Sequence, residues 1–120
     1  MTSGIFSAVF ASVRSGACGV AILTDNTIHG GDCSHYYRGT YRLDENNQIS
    51  GAIDVVTYST LQDSIFGPVT PFRLILTGHL ITNEKQFELS GHVEGQPQLQ
   101  IHISFNKLED LIKASASWRG

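Results

Sequence analysis

Residues 72–105 read FRLILTGHLITNEKQFELSGHVEGQPQLQIHISF, and three segments of this stretch alternate between apolar and polar positions. The apolar or glycine positions are Phe72, Leu74, Leu76, Gly78 and Leu80, then Phe87, Leu89, Gly91 and Val93, then Leu99, Ile101, Ile103 and Phe105. Successive side chains of a strand point to opposite faces, so each segment presents one dry face and one wetter face. This pattern is typical of antiparallel sheet.

The same period of two extends over most of the chain. It predicts strands over 4–12, 18–24, 27–31, 36–43, 48–58, 72–82, 85–94 and 98–106. Turn sequences separate them at Asp25-Asn26, Asp44 to Asn47, Asn83-Glu84 and Gly95 to Pro97, and a longer crossing loop or bend is expected from Asp63 to Pro71. Eight short antiparallel strands in meander order predict a closed barrel, because closure removes exposed edges.

Two further patterns refine this all-β prediction. Glycine recurs mid-strand on the apolar face at Gly39, Gly51, Gly78 and Gly91, where the missing side chain lets a sheet coil tightly. At the C-terminus, Asn106 and Glu109 match a helix cap and its reciprocal acid, and Leu108, Leu111 and Ile112 recur at helical spacing. We therefore expect a short C-terminal helix over 107–114 that covers one mouth of the barrel.

Length and charge restrict the function. The chain has 120 residues and 13.1 kDa, which predicts a single barrel domain over 1–120. A net charge of −3 weighs against direct binding to nucleic acid, and no apolar run approaches the roughly 20 residues of a membrane span. Residues 1–18 lack a basic residue before their apolar part, so we interpret them as a strand and expect a cytoplasmic protein.

Polar clusters offer little catalytic chemistry. Asp32, Cys33 and His35 resemble the parts of a nucleophile set, but their closeness in sequence favours an ordinary polar turn. Cys18 and Cys33 would face each other if Asp25-Asn26 is a two-residue turn, and we expect two buried, unlinked thiols rather than a disulfide. His79 is expected opposite Glu88 as a surface pair. We predict no enzyme activity, no metal site and no cofactor.

Aromatic and basic residues alternate in one segment, where Tyr36, Tyr37 and Tyr41 flank Arg38 and Arg42. Such a pattern occurs in platforms for single-stranded nucleic acid, but two arginines in an acidic chain favour barrel packing with a polar rim. The barrel interior itself could hold one small apolar ligand. The residues expected to line that cavity are Leu74, Leu76, Phe87, Leu89, Ile101 and Ile103, and the sequence leaves open whether it is filled or hollow.

Several short motifs resemble a known family, the small lipocalin-like negative regulators of type III secretion typified by GrlR. The opening strand, residues 4–10, and the second strand, residues 18–23, look like the corresponding strands of that family. The segment Ile28 to Asp32 resembles its Gly-Gly-Asp turn, and Tyr36 to Tyr41 resembles the start of its next strand. The likeness extends over most of positions 4–105.

This resemblance implies a lipocalin-like barrel that forms a homodimer and acts by protein–protein contact. The typical family member sequesters a transcriptional activator with a helix-turn-helix DNA-binding domain, through an acidic Glu-Asp-Glu-Asp loop. The matching loop here is Asp44, Glu45, Asn46 and Asn47, which keeps two of the four acids. Halving the charge weakens attraction to a basic partner. For the loop, the alternative is a plain hairpin turn. For the protein, the alternatives are a carrier of a small apolar ligand inside the barrel and an enzyme built in the barrel mouth.

Overall fold

Eight strands account for most of the structure, a computed structural model that describes residues 3–12, 16–59, 71–81 and 85–113. They are β1 (Gly4–Ala11), β2 (Gly16–Thr24), β3 (Thr27–Gly31), β4 (His35–Leu43), β5 (Gln48–Thr57), β6 (Phe72–Leu80), β7 (Gln86–Val93) and β8 (Gln96–Glu109). Each strand pairs antiparallel with its neighbours in sequence, and β8 closes on β1. The predicted all-β, eight-stranded antiparallel barrel in meander order is confirmed.

The core lies inside the barrel and receives side chains from every strand. Its largest fully buried members include Phe6, Phe105 and Leu74. Burying one such side chain stabilises a fold by roughly 1.5–3 kcal/mol, so the inward faces supply the main driving force. The alternation of buried and exposed positions in β7 and β8 matches the pattern from which the strands were predicted.

Glycines let the strands bend where the sheet coils. A Cβ at Gly91 would lie 1.8 Å from the Ile75 carbonyl oxygen, and a Cβ at Gly78 would lie 1.9 Å from the Glu88 carbonyl oxygen. Gly91 pairs with Leu76 across the ladder, and Gly78 pairs with Leu89, so each leucine lies beside the space that a glycine leaves. These close approaches support the interpretation that the inner-face glycines permit tight curvature.

Short turns connect neighbouring strands as expected. Asp25 and Asn26 have φ angles of 50° and 64°, which identifies a two-residue turn of the primed type between β2 and β3. The β7–β8 turn begins one residue earlier than predicted, because Val93 pairs with Gln96 and Pro97 already belongs to β8. The Asn83-Glu84 turn and residues 63–70 of the crossing loop lie outside the described residues.

The C-terminal segment differs from the prediction. Residues 107–109 belong to β8, where Lys107 pairs with Phe6 and Glu109 with Ile5 of β1. Residues 110–113 form no helix, and residues from 114 onward, including Trp118, lie outside the described part. The helix expected over 107–114 is therefore wrong for residues 107–113. Pairing with β1 satisfies backbone groups that a helix this short would leave unpaired at its ends.

Candidate functional sites

The barrel lumen contains the six residues predicted to line a ligand cavity. Leu74, Leu76, Phe87, Leu89, Ile101 and Ile103 all lie in the core and are at most 4% exposed. Aromatic rings from non-adjacent strands meet there: Phe10 of β1 lies 4.9 Å from Tyr37 of β4, and Phe87 of β7 lies 5.5 Å from Phe6 of β1, between ring centroids. Tyr41 of β4 also reaches Phe87, at 6.3 Å. Side chains therefore cross the lumen and pack against one another.

The acidic loop joins β4 to β5, and all four of its residues are exposed. Asp44 Oδ1 accepts hydrogen bonds from the backbone amides of Asn46 at 2.8 Å and Gln48 at 2.9 Å. Asn47 adopts a φ of 61°, and its carbonyl accepts a hydrogen bond from the Leu80 amide at 3.1 Å. Asp44 thus shapes the turn, and Glu45 is the acid of this loop that stays available to a partner.

At the opposite end of the barrel, Asp32 organises the β3–β4 turn. Its Oδ1 accepts hydrogen bonds from the amides of Ser34 and His35, both at 2.8 Å, and its Oδ2 accepts one from the Tyr37 hydroxyl at 2.5 Å. The Tyr58 hydroxyl donates to the Asp32 carbonyl, and the Tyr58 amide donates to the Ser34 carbonyl at 2.8 Å. One carboxylate therefore ties the turn to β4, and backbone bonds tie it to the segment after β5.

Hydrogen bonding and burial set the protonation states of Asp32 and Tyr37 in this turn. Burial disfavours the charged form of Asp32, but the Tyr37 hydroxyl and the amides of Ser34 and His35 outweigh burial and lower its pKa. Burial, followed by the bond to Asp32, raises the pKa of Tyr37. The carboxylate is consequently ionised and the phenol neutral across the physiological range.

The structure does not assemble Asp32, Cys33 and His35 as a nucleophile set. The Cys33 thiol contacts the Ser34 hydroxyl at 3.8 Å, whereas His35 Nδ1 lies 3.6 Å from Asp32 Oδ1. His35 is 4% exposed, and its Nε2 has no hydrogen-bond partner among the described residues. The interpretation of this segment as a polar turn is the one that the contacts favour.

Both cysteines are free thiols, and both are exposed, so the prediction that they are buried is wrong. The register of the β2–β3 turn is as predicted, but the last pair of that ladder is Val20 with Gly31. β3 ends before Cys33, which lies in the turn. The two thiols are therefore not partners on the ladder.

A hydrogen-bonded series on the outer face of β7 and β8 was not predicted. His79 and Glu88 are opposite in register as expected, but Glu88 Oε1 bonds to His102 Nε2 at 2.6 Å and to Ser104 Oγ at 3.0 Å. His102 Nδ1 lies 2.9 Å from Ser90 Oγ. Burial of Glu88 opposes its ionisation, but the bonds from His102 and Ser104 lower its pKa overall. The register that places Ser90 opposite His102 is the signal that sequence reasoning missed.

A serine, a histidine and a carboxylate in series resemble the parts of a hydrolase triad. Such chemistry also needs backbone N–H groups directed at the oxyanion of the reaction intermediate. Ser90 and His102 lie in the middle of strands that pair on both sides, so their backbone amides serve the ladders. This series is better explained as a polar network on the surface of the sheet.

The outward side chains of β3–β6 form a surface that we call the arginine face. Arg38, Asp54 and Arg73 lie side by side in register on three adjacent strands. Arg73 Nε lies 2.7 Å from Asp54 Oδ1, and Arg73 Nη2 lies 3.3 Å from Asp54 Oδ2. The bond from Arg73 lowers the pKa of Asp54, and the charge of Arg38 contributes. Two grooves of about 550 and 390 Å³ adjoin this row and share all three residues.

Tyrosines divide between this face and the core. Tyr37 and Tyr41 are 5% and 7% exposed and pack in the barrel, as the packing interpretation predicts. Tyr36 instead points outward beside the arginines at 42% exposed, and its ring lies 6.5 Å from that of Tyr58. The arginine face therefore carries exposed aromatic surface at the end of the barrel that holds Asp32.

A second distinct surface is the outer side of β1 and β2, which we call the β1–β2 face. Val9 and Val20 are each 46% exposed there, and Cys18 is exposed between them in the β1–β2 register. Neither strand carries a charged side chain. An uncharged sheet face with exposed valines is the type of surface that protein interfaces cover.

No protein-family model matches the chain, and no curated protein matches it. Within the described ranges, no three His, Cys, Asp or Glu side chains come together as metal ligands would. None of the described residues belongs to a helix that is long and apolar enough to cross a membrane.

Proposed function

We propose that this protein is a non-catalytic binding module that acts by contact with another protein through the outer surface of its barrel. The observation that carries this proposal is the packing of the lumen by aromatic rings from β1, β4 and β7. An eight-stranded barrel is just wide enough either to be filled by side chains or to hold one small ligand. Side chains that cross the lumen favour the filled alternative, so a partner would be bound by the outer surface of the barrel.

The regulatory role implied by the resemblance to the GrlR-type regulators of type III secretion is part of this proposal. A transcriptional activator with a helix-turn-helix domain is one partner of the expected kind. Glu45 supports contact with a basic partner at the acidic loop, but Asp44 is already used by the turn. Two exposed free thiols are typical of a reducing compartment and support a cytoplasmic location.

Displacement of a hydrophobic dye separates this proposal from a carrier function. We expect 1-anilinonaphthalene-8-sulfonate to show no saturable fluorescence increase that fatty acids reverse, because packed side chains leave no site for the dye in the lumen. Fatty acids titrated into the mixture should then change nothing. Saturable dye binding that fatty acids displace, and that Leu89→Trp abolishes, would instead establish a ligand cavity and contradict the proposal.

A homodimer is the second part of the proposal, and the β1–β2 face supports it. Exposed valines on a sheet face without charges favour contact with an identical face, since no like charges oppose each other. We expect multi-angle light scattering to give twice the chain mass, and Val20→Arg to give the monomer. A mass near 13.1 kDa for the unmodified protein would contradict the dimer.

A further inference from the structure

We infer that the arginine face docks a partner protein through an acidic segment, a stretch of Asp and Glu interspersed with aromatic or aliphatic side chains. The inference rests on the proposed function as a protein-binding module. It adds the place of contact and the chemistry of the partner. It also differs from the expectation for the acidic loop, which would attract a basic partner.

The charge of the arginine face is the first argument. Its strands carry three arginines, Arg38, Arg42 and Arg73, and Asp54 is the one acidic residue that β3–β6 contain. Asp54 is occupied by its two bonds to Arg73, and Arg42 lies opposite the uncharged Ser50. Glu94 of the β7–β8 turn also lies near Arg73, so three arginines face two acids and the surface keeps a small excess of positive charge in a chain of net charge −3. A guanidinium group presents a planar pair of donors that matches a carboxylate.

The shape of the face is the second argument. The groove of about 550 Å³ is polar, with Thr27, His29 and Thr40 in its lining. The groove of about 390 Å³ has Tyr36, Val56 and Phe72 in its lining and is more apolar. A segment that lies across the row can place carboxylates on the arginines and an apolar side chain in the second groove. This explains why we expect acids interspersed with aromatic or aliphatic residues.

The residue types are the third argument. Tyrosine and arginine are the residues that most often dominate binding energy at protein interfaces. Tyr36 is 42% exposed and lines the same groove as Arg38. Tyr58, whose ring lies 6.5 Å from that of Tyr36, is 59% exposed, and the other two tyrosines pack inside the barrel. Rigid aromatic rings provide contact area at a low cost in conformational entropy.

Two other modes of recognition are less favourable. Each strand already pairs with two neighbours, so a partner strand cannot add to a free edge of the barrel. Single-stranded nucleic acid needs a basic groove that follows several phosphates. Three arginines in a chain of net charge −3 provide little of this, whereas they suffice for a few carboxylates.

Fluorescence anisotropy with a short fluorescein-labelled peptide of Asp, Glu and Tyr tests the inference. We expect Arg38→Glu to weaken peptide binding about tenfold or more, because it removes one guanidinium group and adds a repelling charge. Arg38→Lys should give a smaller loss, since lysine lacks the planar pair of donors. Lys113→Glu is the matched control: it makes the same change of charge at an exposed residue outside the face and should leave binding unchanged.

Three outcomes would overturn the inference. One is equal weakening by Arg38→Glu and Lys113→Glu, because binding would then follow net charge alone. Another is the absence of peptide binding by the unmodified protein. The third is tighter, Arg38-dependent binding of a labelled oligothymidylate, which would assign the face to nucleic acid. Thermal melts establish that the variants fold. If the unmodified protein binds neither the peptide nor the hydrophobic dye, the proposal of a protein-binding module still holds, and only the assignment of its docking face is wrong.

Discussion

Replacing Gly91 with alanine is expected to lower the free energy of unfolding by about 3 kcal/mol. The added Cβ would lie 1.8 Å from the Ile75 carbonyl oxygen and 3.0 Å from the Leu76 Cα. These are backbone atoms, so no change of side-chain rotamer relieves the contact. β6 and β7 must separate where Leu76 pairs with Gly91, which disturbs the curvature of the barrel. Urea denaturation of the variant and the unmodified protein measures the difference.

Two other glycines provide a graded control for this effect. A Cβ at Gly51 would lie 2.6 Å from the Thr40 carbonyl oxygen, and one at Gly16 would lie 3.1 Å from the Phe10 carbonyl oxygen. We therefore expect Gly51→Ala to cost less than Gly91→Ala, and Gly16→Ala to change stability by only about 0.5 kcal/mol. If Gly91→Ala does not fold, comparison of Gly51→Ala with Gly16→Ala still tests the expected order of stability losses. Equal stability of all three variants would contradict a role of the inner glycines in curvature.

Replacing Asp32 with alanine is expected to lower the free energy of unfolding by about 3 kcal/mol. The change removes the acceptor for the amides of Ser34 and His35 and for the Tyr37 hydroxyl. Tyr37 is 5% exposed, so water cannot readily replace the lost bond. For a chain of this size, the loss corresponds to a decrease in Tm of about 10 °C, which differential scanning calorimetry measures.

Asp32→Asn is the matched variant that removes the negative charge and keeps the shape of the side chain. Its carbonyl oxygen can still accept from the two amides, and its amide group can donate to the Tyr37 oxygen. We therefore expect a cost of only about 1 kcal/mol at pH 7. A loss equal to that of Asp32→Ala would show that the negative charge matters more than the geometry of the turn.

The stability of the protein should also depend on pH through Asp32. Its pKa is lowered in the folded state, so the carboxylate contributes stability that is present above its unfolded pKa of about 3.9. That contribution is lost as the pH falls through the lower pKa of the folded state. The difference in stability between the unmodified protein and Asp32→Asn should therefore shrink from about pH 5 downward. A difference that is constant from pH 7 to acid would contradict the pKa assignment.

The sequence alone was sufficient to predict the eight strands and the inward faces of β6–β8. Period-two alternation is a local property, and burial of one face follows from it whenever the sheet closes. The inward positions of Leu74, Leu89 and Ile101 were therefore predictable. The Asp25-Asn26 turn was also predictable, because few residue pairs adopt two positive φ angles.

The C-terminal helix shows where local signals mislead. Asn106 and Glu109 match a capping pattern, but β1 offers residues 107–109 a partner strand. A helix of two turns is marginal in water, whereas a strand at the seam of a closed barrel pairs its backbone along its length. The contact that decides between these conformations comes from the other end of the chain, so sequence reasoning on the segment alone could not find it.

The sequence by itself determined the barrel, because alternating apolar residues give each strand one apolar face and closure of the sheet buries that face. Only the tertiary structure decided which polar groups meet. Arg38, Asp54 and Arg73 come from three strands, and their alignment depends on register across two ladders. Likewise, rings from β1, β4 and β7 fill the lumen only once the sheet has closed. Surfaces and interior depend on distances between segments that are far apart in sequence, and a local pattern contains no such distances.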